Sequence, residues 1–316
     1  MRIGLDVMGG DYYPHAPIAG AIQALDSLLP SEKIVLLGQQ AVIETELAKY
    51  PALSGAFEIV HCDEVIEMDE HPAKSFTAKA KSSISLGYQM LKRNQIDAFM
   101  SAGNTGAMLV GSVLGLGTIP GIQRPTIGAI YPNGSQPLLI LDVGANADAK
   151  PEYLAQWATM GTVYMQEIYR ISKPRVGLLN IGEEKSKGNA LTQAAFPLLE
   201  KEEGINFIGN VEGRDFNKDK VDIIVCDGYV GNIILKFAES FYEVMKPKIT
   251  DTDFVELYNF ENYGGIPILG VQGVALIGHG ISGPIAFKNM ILRARDIIRV
   301  NLISKLTEAF ISKTSL

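Results

Sequence analysis

The feature that most constrains the fold of this chain is a regular alternation of short apolar runs, rich in β-branched residues, with longer segments of helical periodicity. The short runs are apolar almost throughout, whereas a strand with one face in water would alternate apolar and polar residues. Strands of this kind are buried on both faces and occur in mostly parallel sheets that are covered by helices. The sequence therefore predicts an α/β fold in three layers, α/β/α, around a mostly parallel sheet.

The predicted elements extend over the whole chain. Strands are expected at residues 1–7, 33–38, 57–62, 96–101, 126–131, 137–143, 175–181, 205–209, 221–226 and 274–279. Helices are expected at residues 17–29, 40–49, 82–92, 151–169, 189–200, 232–245 and 285–311. At 316 residues the chain exceeds the usual size of a single core, yet no repeat, low-complexity tract or linker-like run divides it. One interwoven, two-lobed domain over residues 1–316 is therefore expected.

Composition narrows the class of protein. The net charge of −7 is unfavourable for a general nucleic-acid binder, because phosphate backbones are bound through a broad positive field. Cys62 and Cys226 each lie inside an apolar run, so buried reduced thiols are expected rather than a disulfide. No run of about 18 or more uncharged apolar residues occurs. These features predict a globular enzyme of the cytoplasm that does not bind nucleic acid.

Glycine-rich polar loops follow six of the predicted strands, at residues 6–11, 101–106, 142–146, 182–189, 227–232 and 279–283. In open parallel sheets, ligands bind at the carboxyl ends of the strands. Glycine lets main-chain N–H groups approach a ligand, and the start of a following helix adds unpaired donors, so such loops suit a phosphate. The candidate substrate-binding residues are Asp6, Gly9, Gly10, Asp11, Gly103, Asn104, Thr105, Gly106, Asp142, Gly144, Asn146, Asp227, Gly228, Gly231 and His279. Any single loop has the alternative of an ordinary capped turn, but six together favour one shared anion site.

Several familiar kinds of site are missing from the sequence. The loops match neither the G-x-x-x-x-G-K-[ST] nor the G-x-G-x-x-G nucleotide pattern, and no G-x-S-x-G nucleophile motif occurs. The four histidines and two cysteines lack the spacing of metal ligands. We therefore expect neither a metal nor a cofactor.

The lack of a recognisable protein nucleophile suggests that phosphate itself is the attacking group. Lys187, in a Lys-Gly-Asn turn, could hold the phosphate against its own charge. Asn232, which follows Gly231 at a predicted helix start, could stabilise the oxyanion that develops on a thioester carbonyl. The alternatives are a solvated surface lysine and an ordinary N-cap asparagine.

With these loops in view, the chain closely resembles the phosphate acyltransferase family of bacterial phospholipid synthesis over nearly its whole length. The most specific segments are MRIGLDVMGGD at 1–11, SAGNTGA at 101–107, DVGAN at 142–146, LNIGE at 179–183, KGN at 187–189, FIGNVEG at 207–213 and YGGIPILG at 263–270. The resemblance implies an enzyme that transfers a long-chain fatty acyl group from acyl carrier protein to inorganic phosphate, giving acyl phosphate for phosphatidic acid synthesis.

The resemblance carries further expectations. It implies a fold similar to those of isocitrate and isopropylmalate dehydrogenases and phosphate acetyltransferases, and a homodimer. It also implies loose attachment to the inner face of the membrane, where a glycerol-3-phosphate acyltransferase would use the product. The catalytic lysine and asparagine of the family map onto Lys187 and Asn232, although Lys185 in the same turn competes for the role. The stretch 239–261, where the family has its membrane-touching helices, is shorter than usual.

Two surfaces are predicted from side-chain spacing. Lys288, Arg295 and Arg299 recur at i, i+7 and i+11 of a predicted helix, a basic face that would attract the acidic carrier protein. An apolar stripe of Phe237, Phe241, Val244 and Met245 begins a possible helical hairpin at 237–260. Phe241 and Met245 are its candidate membrane contacts. The alternatives are a merely solvated basic face and a stripe that packs on the sheet or across a dimer interface.

Other functions remain open from the sequence. The nearest is a short-chain phosphate acetyltransferase that uses coenzyme A, with the same chemistry but without the Met-Gly-Gly-Asp opening. A dehydrogenase on the same architecture would need metal-binding carboxylates and a cofactor loop, which we do not find. A scaffold that recruits lipid enzymes to the membrane is a third class.

Overall fold

The fold is described from a computed structural model, in which residues 1–53, 55–133 and 136–314 are described. The chain divides into two compact units. The first unit contains Met1–Thr118 and Phe260–Arg299, and the second contains Ile119–Asn259 and Val300–Leu316.

The sheet of the first unit has the strand order β3-β2-β1-β4-β11-β10. Its strands are β1 (Arg2–Asp6), β2 (Lys33–Gly38), β3 (Glu58–His61), β4 (Ala98–Ser101), β10 (Ile266–Leu269) and β11 (Val274–Ile277). Neighbouring strands are parallel, except that β10 runs antiparallel to β11. The carboxyl ends of β1, β4 and β11 therefore lie at the same edge, where three of the glycine-rich loops begin.

The helices of the first unit are α1 (His15–Ala24), α2 (Gln40–Leu47), α3 (Pro72–Ala78), α4 (Ser83–Lys92), α5 (Thr105–Val110) and α10 (Pro284–Arg299). A π-helical stretch, Gly111–Leu116, continues α5. Helix α1 packs closely on α10 at Gly20, where an added Cβ would lie 2.4 Å from the Cβ of Phe287. Only glycine permits this approach, which fixes α1 and α10 against each other.

The sheet of the second unit has the strand order β5-β6-β9-β7-β8. Its strands are β5 (Thr126–Asn133), β6 (Gln136–Leu141), β7 (Arg175–Leu179), β8 (Asn206–Val211) and β9 (Ile223–Val225). The pair β5 and β6 is antiparallel, and the other neighbours are parallel. The helices are α6 (Pro151–Tyr169), α7 (Ala190–Lys201), α8 (Gly228–Met245), α9 (Thr252–Glu256) and α11 (Leu302–Thr314). Trp157 and Tyr164 of α6 are fully buried and fill much of this core.

The expected α/β fold, with mostly parallel strands and helices on both sides, is confirmed. Two of the expected helices have different bounds in the structure. The single helix expected at 285–311 is two helices, because α10 ends at Arg299 and Asn301 has a left-handed backbone with φ of 55°. Helix α8 begins at Gly228 rather than at 232, because Asp227 caps it by accepting a hydrogen bond from the N–H of Val230 at 2.9 Å.

Within the described residues, none of the helices combines the length and apolar character needed to span a bilayer.

Candidate active site

The loop after β6 is organised by the buried carboxylate of Asp142. Its Oδ1 accepts hydrogen bonds from the N–H of Ile127 at 3.0 Å and from the Thr126 hydroxyl at 3.1 Å. Its Oδ2 accepts one from the N–H of Asn146 at 2.6 Å and one from the side-chain amide of Asn146 at 3.1 Å. Burial raises the pKa of Asp142, while the hydrogen bonds from Ile127 and Asn146 act in the opposite direction. The carboxylate therefore holds the loop in shape, and its oxygens are already engaged.

The start of helix α8 approaches this loop at glycine positions. The N–H of Gly228 donates to the carbonyl of Asn146 at 2.8 Å. A Cβ added at Gly231 would lie 1.8 Å from the carbonyl oxygen of Asp142, so no other residue fits there without moving the helix. Gly228 and Gly231 thus bring α8 against the loop after β6. Gly144 lies in that loop with a φ of 134°.

Asn232 is the polar side chain that this approach positions. Its Nδ2 donates a hydrogen bond to the carbonyl of Val143 at 3.1 Å. Because Asp227 is the N-cap of α8, the alternative of Asn232 as the cap is wrong. A side-chain amide has two N–H donors, so one donor of Asn232 remains for a ligand.

Lys187 lies in a loop between β7 and α7 whose main chain is held at several points. The side-chain amide of Asn180 donates to the carbonyl of Lys187 at 3.1 Å. The amide of Asn210 in β8 donates to the carbonyl of Glu184 at 2.9 Å, and Gln193 donates to the carbonyl of Ser186 at 3.0 Å. Asn210 is buried, so this anchor is shielded from water. The loop that carries the lysine is therefore well supported.

The two candidate lysines of this loop differ in their partners. Lys185 forms an ion pair with Glu200, and its ammonium lies 5.2 Å from the ring centroid of Phe196. Lys187 is exposed and forms no ion pair within the described part of the chain. The ammonium of Lys185 is therefore already paired, whereas that of Lys187 is open to solvent, which fits both a phosphate-binding lysine and a solvated surface lysine.

An acidic cluster includes Glu183, at the start of the lysine loop. The carboxylates of Glu183, Glu212 and Asp215 lie within 4.8 Å of one another. Lys220 bridges two of them, with distances of 2.7 Å to Glu183 and 3.3 Å to Asp215. Burial alone would raise the pKa of Asp215, but hydrogen bonds from the Glu212 N–H, Lys218 and Lys220 hold it at about 2. The cluster acts as an ion-pair network that ties the loop to the end of β8.

A partly apolar cavity of about 440 Å³ borders the lysine loop and the start of α8. We call it the apolar groove. It is lined by Leu154, Leu179, Asn180, Ile181, Gly188, Asn189, Leu191, Thr192, Gly213, Cys226, Asp227, Val230 and Ile234. Gly188 and Asn189 of the lysine loop therefore line the same cavity as Asp227, the N-cap of α8.

In the first unit, the loops after β1 and β4 are held together by Asp6. Its buried carboxylate accepts from the N–H of Met8 at 2.9 Å and from the hydroxyl of Ser101 at 2.6 Å. Burial raises the pKa of Asp6, and the Ser101 hydrogen bond opposes that change. A Cβ at Gly9 would lie 2.5 Å from the N–H nitrogen of Gly103, so the two loops are in close contact. Asp6 and Gly9 therefore lie in the contact between the two loops and not at an open binding surface.

Asn104 has a capping role in the same region. Its Oδ1 accepts from the N–H of Ala107 at 2.9 Å, and its Nδ2 donates to the carbonyls of Glu67 at 3.0 Å and Glu70 at 3.1 Å. Thr105 and Gly106 follow as the first residues of α5, and Gly106 packs on Pro72.

The loop after β11 meets the loop after β1. The N–H of Asp11 donates to the carbonyl of Gly280 at 2.7 Å, and Gly10 has a φ of 94°. The ring of His279 lies 5.5 Å from that of Phe260. Within each unit the structure thus brings the expected loops together. That all six form one shared site stays a prediction.

Comparison with known proteins decides the family. A family model described as fatty acid synthesis protein matches residues 1–305. The phosphate acyltransferase of Dictyoglomus turgidum is 41% identical over 98% of this chain and 97% of its own length. That of Halothermothrix orenii is 41% identical over 96% of both chains. The chain belongs to the phosphate acyltransferase family.

Solved structures show that this phosphate acyltransferase family member has the fold of phosphotransacetylases. A phosphotransacetylase from Streptococcus pyogenes has a TM-score of 0.65 at 19% identity and covers 94% of both chains. A branched-chain phosphotransacylase from Enterococcus faecalis has a TM-score of 0.63 at 11% identity, covering 94% of this chain and 98% of the other. At such low identity the likeness concerns the fold alone, and it confirms the expected similarity to phosphate acetyltransferases.

The basic face predicted on the C-terminal helix lies on α10, and part of it is engaged within the chain. Arg299 donates to the carboxylate of Glu32 at 2.8 Å, and Arg295 donates to the carbonyl of Ser27 at 2.7 Å. Lys288 is half-buried and forms no ion pair within the residues that the structure describes. Of the three, Lys288 is therefore the one whose charge is not matched by a neighbour.

The apolar stripe on α8 is not covered by the rest of the chain. Phe237 is 64% exposed, Phe241 42% and Val244 53%, and Met245 is half-buried. The helix ends at Met245, two residues before Pro247, whose ring cannot continue an α-helix. On the opposite face, the hydroxyl of Tyr242 donates to Glu256 of α9 at 2.9 Å. Packing of the stripe on the sheet is therefore wrong.

Asn180, Asn210 and Gln193 were not predicted as functional residues. The segments LNIGE and FIGNVEG drew attention in the sequence, but nothing in their spacing indicates that Asn180 and Asn210 anchor the lysine loop. An asparagine at or just after the end of a predicted strand, as at Asn180 and Asn210, was the one available signal.

Proposed function

We propose that this chain transfers a long-chain fatty acyl group from acyl carrier protein to inorganic phosphate and releases acyl phosphate for phosphatidic acid synthesis. The observation that carries the proposal is the ammonium of Lys187, which forms no ion pair with any residue that the structure describes and lies on an anchored loop beside the apolar groove. A cation beside an apolar cavity suits an anionic nucleophile and an apolar acyl group. Membership of the phosphate acyltransferase family supports the same reaction.

In the proposed reaction, an oxygen of hydrogen phosphate attacks the carbonyl carbon of the thioester. A carbon–oxygen bond forms, and the carbon–sulfur bond breaks as the tetrahedral intermediate collapses. The proton of hydrogen phosphate leaves with the carrier's sulfur, so the products are acyl phosphate and the free thiol of the carrier. Lys187 holds the phosphate, and its charge offsets the repulsion between phosphate and the developing oxyanion.

Asn232 stabilises the oxyanion in this proposal. Its amide is fixed by the hydrogen bond to the carbonyl of Val143 at 3.1 Å, so the second N–H has a defined direction. A donor that is oriented before the reaction needs no reorganisation when the charge develops. The neighbouring glycines are what place the amide at this point.

The acidic carrier protein is proposed to dock through the basic face of α10, with Lys288 as its main contact. The enzyme has a net charge of −7, so attraction must come from a local basic group. The change Lys288→Glu should raise the Michaelis constant for the carrier and leave that for phosphate unchanged. If Lys288→Glu and the unchanged enzyme have the same Michaelis constant for the carrier at every salt concentration, the carrier does not dock on this face.

We propose a cytoplasmic homodimer that attaches reversibly to the inner face of the membrane through the stripe on α8. There it would pass acyl phosphate to a glycerol-3-phosphate acyltransferase. The exposure of Phe237, Phe241 and Val244 supports a contact of this kind.

One assay tests the central proposal. The purified protein is incubated with palmitoyl carrier protein and labelled phosphate, without membranes, and hydroxylamine-sensitive acyl phosphate is measured. A parallel reaction contains acetyl coenzyme A in place of the carrier. We expect labelled acyl phosphate from the carrier only. Acyl phosphate from acetyl coenzyme A and not from the carrier would indicate a short-chain phosphate acetyltransferase. If neither donor gives product, the remaining interpretation is a scaffold protein.

A further inference from the structure

We infer that the apolar groove of the second unit holds the fatty acyl chain along its length and so sets the chain-length preference. This inference rests on the proposed function and specifies where the apolar part of the substrate binds. The groove lies within one unit of one chain, between α7 and α8, and the loop of Lys187 forms part of its rim.

The apolar surface of the groove comes from several elements. Leu154 of α6 and Leu179 of β7 are buried, and Leu191 of α7 and Ile234 of α8 are half-buried. Val230 is 36% exposed. These side chains are branched aliphatic groups without hydrogen-bonding atoms. The exposed parts of Leu191, Val230 and Ile234 offer an acyl chain a surface from which water is displaced at a gain in free energy.

The polar side chains of the groove are already hydrogen-bonded within the protein. Asn180 donates to the carbonyl of Lys187, and the Oδ1 of Asn189 accepts from the N–H of Thr192 at 2.9 Å. Asp227 accepts from the N–H of Val230 at 2.9 Å. An apolar ligand therefore leaves each of these three groups with one hydrogen-bond partner, which lowers the cost of placing a hydrocarbon beside them.

The size of the groove fits a chain rather than a short acyl group. Its volume is about 440 Å³, within the roughly 300–1,000 Å³ of small-molecule sites. A methylene group takes about as much space as a water molecule, roughly 30 Å³, so the groove accepts on the order of ten methylene groups. An acetyl group would occupy only a small part of it. The inference places the carbonyl end at Gly188 and Asp227, which belong to the loop of Lys187 and to the N-cap of α8.

Two adjacent residues of the same type provide a matched test. Ile234 lines the groove, whereas Ile233 is 52% exposed and does not line it. The variants Ile234→Trp and Ile233→Trp are compared with the unchanged enzyme on carrier proteins loaded with butanoyl to hexadecanoyl chains. The measured quantity is kcat/KM for formation of acyl phosphate, and thermal unfolding confirms that each variant folds.

In the unchanged enzyme, kcat/KM should rise about fourfold for each methylene group that becomes buried, until the groove is full. Ile234→Trp should lower kcat/KM with hexadecanoyl carrier about 50-fold, the effect of excluding three methylene groups, and leave butanoyl carrier almost unchanged. Ile233→Trp should match the unchanged enzyme at every chain length. If Ile234→Trp does not fold, Leu191→Phe on the other side of the groove replaces it, with the same expectation.

The outcomes separate this inference from the proposed function. Equal kcat/KM for all chain lengths in the unchanged enzyme would show that the groove does not bind the acyl chain. So would an equal loss of kcat/KM at all chain lengths in the groove variants. Neither result would contradict the proposed reaction. An equal loss would indicate that the groove holds the carrier's pantetheine arm. If no carrier yields acyl phosphate, the proposed function itself is wrong.

Discussion

The side-chain amide of Asn232 in α8 donates a hydrogen bond to the main-chain carbonyl of Val143, 3.1 Å away, in the loop after β6. This bond joins two residues that are 89 positions apart in sequence. It depends on Gly231, where an added Cβ would lie 1.8 Å from the carbonyl oxygen of Asp142. The direction of the second N–H of Asn232 is therefore set by the tertiary fold.

The first prediction concerns this amide. Asn232→Ala should lower kcat by about 10²–10³, because one oriented donor to the oxyanion is lost. Asn232→Asp removes both donors and adds a negative charge, so it should lower kcat at least as much. The Michaelis constant for phosphate should change little in the alanine variant. Near-normal kcat in a folded Asn232→Ala protein would show that the oxyanion is stabilised elsewhere.

The second prediction separates the two lysines of the loop. Lys187→Ala should lower kcat/KM for phosphate about 10²–10³-fold, because the ammonium that holds the anion is removed. Lys185→Ala is the matched control and should lose less than about tenfold, because that ammonium is paired with Glu200 on the surface. Steady-state kinetics with phosphate as the varied substrate measures both. The reverse ranking would move the role to Lys185.

The third prediction is that the reaction proceeds without an acyl-enzyme. Burial raises the pKa of Cys62 to about 12 and that of Cys226 well above its ordinary value, so neither thiol forms the thiolate that attacks a thioester. Denaturing mass spectrometry after mixing with acyl carrier protein, in the absence of phosphate, should show unmodified protein. The kinetics should be sequential. A stable adduct of acyl mass would contradict direct attack by phosphate.

The elements predicted with correct bounds are those that are specified by residues within the element itself. Strand β2 was expected at residues 33–38 and α6 at residues 151–169, and both have these bounds in the structure. Strand β2 is an apolar run that is buried after its first residue, and α6 begins with Pro151 at its first position. Strand β10 was missed because it is four residues long and contains Pro267, and a proline usually indicates the end of a strand.

The site was predicted only in outline, because the glycine-rich loops are visible in the sequence and their hydrogen bonds are not. Asp142 and Asn104 look like ligand-binding residues, yet their polar atoms bind main-chain groups of their own loops and of neighbouring ones. The anchor from Asn210 to Glu184 joins residues that are 26 positions apart. Partners this distant are set by the packing of strands, which single-sequence periodicity does not give.

The fourth prediction concerns the acid stability of the ion-pair network. The pKa of Asp215 falls from 3.8 to about 2 on folding. A lowered pKa contributes stability that is present above pH 4 and is lost as the pH falls through 2, and the shift corresponds to roughly 2 kcal/mol. Asp215→Asn should lower the free energy of unfolding by about that amount at pH 7, and the difference should shrink at pH 3.

Urea unfolding at both pH values measures this difference. Asp148→Asn, at an exposed position, is the control and should behave like the unchanged protein. A difference for Asp215→Asn that is the same at pH 3 and pH 7 would show that the network acts through packing and not through charge.

The last prediction is that the stripe on α8 contacts the surface of an anionic membrane. The rings of Phe237 and Phe241 lie 4.9 Å apart and form one continuous apolar patch. Lys246 and Lys248 follow at the end of the helix, where they can meet anionic head groups. The patch is short, so its burial would contribute only a few kcal/mol, which gives weak and reversible attachment. Co-sedimentation with anionic liposomes should therefore be partial and should decrease as salt rises.

Two paired variants test this contact. Phe241→Glu with Met245→Glu should abolish co-sedimentation and keep activity in solution, because charge in the apolar patch opposes burial in lipid. Leu29→Glu with Leu114→Glu adds the same charge at two other exposed apolar positions and should leave binding intact. If the first pair changes the oligomeric state or the fold, the stripe belongs to an interface between copies of this chain. Unchanged sedimentation of that pair would place the membrane contact elsewhere, since weak binding of this size cannot survive two buried charges.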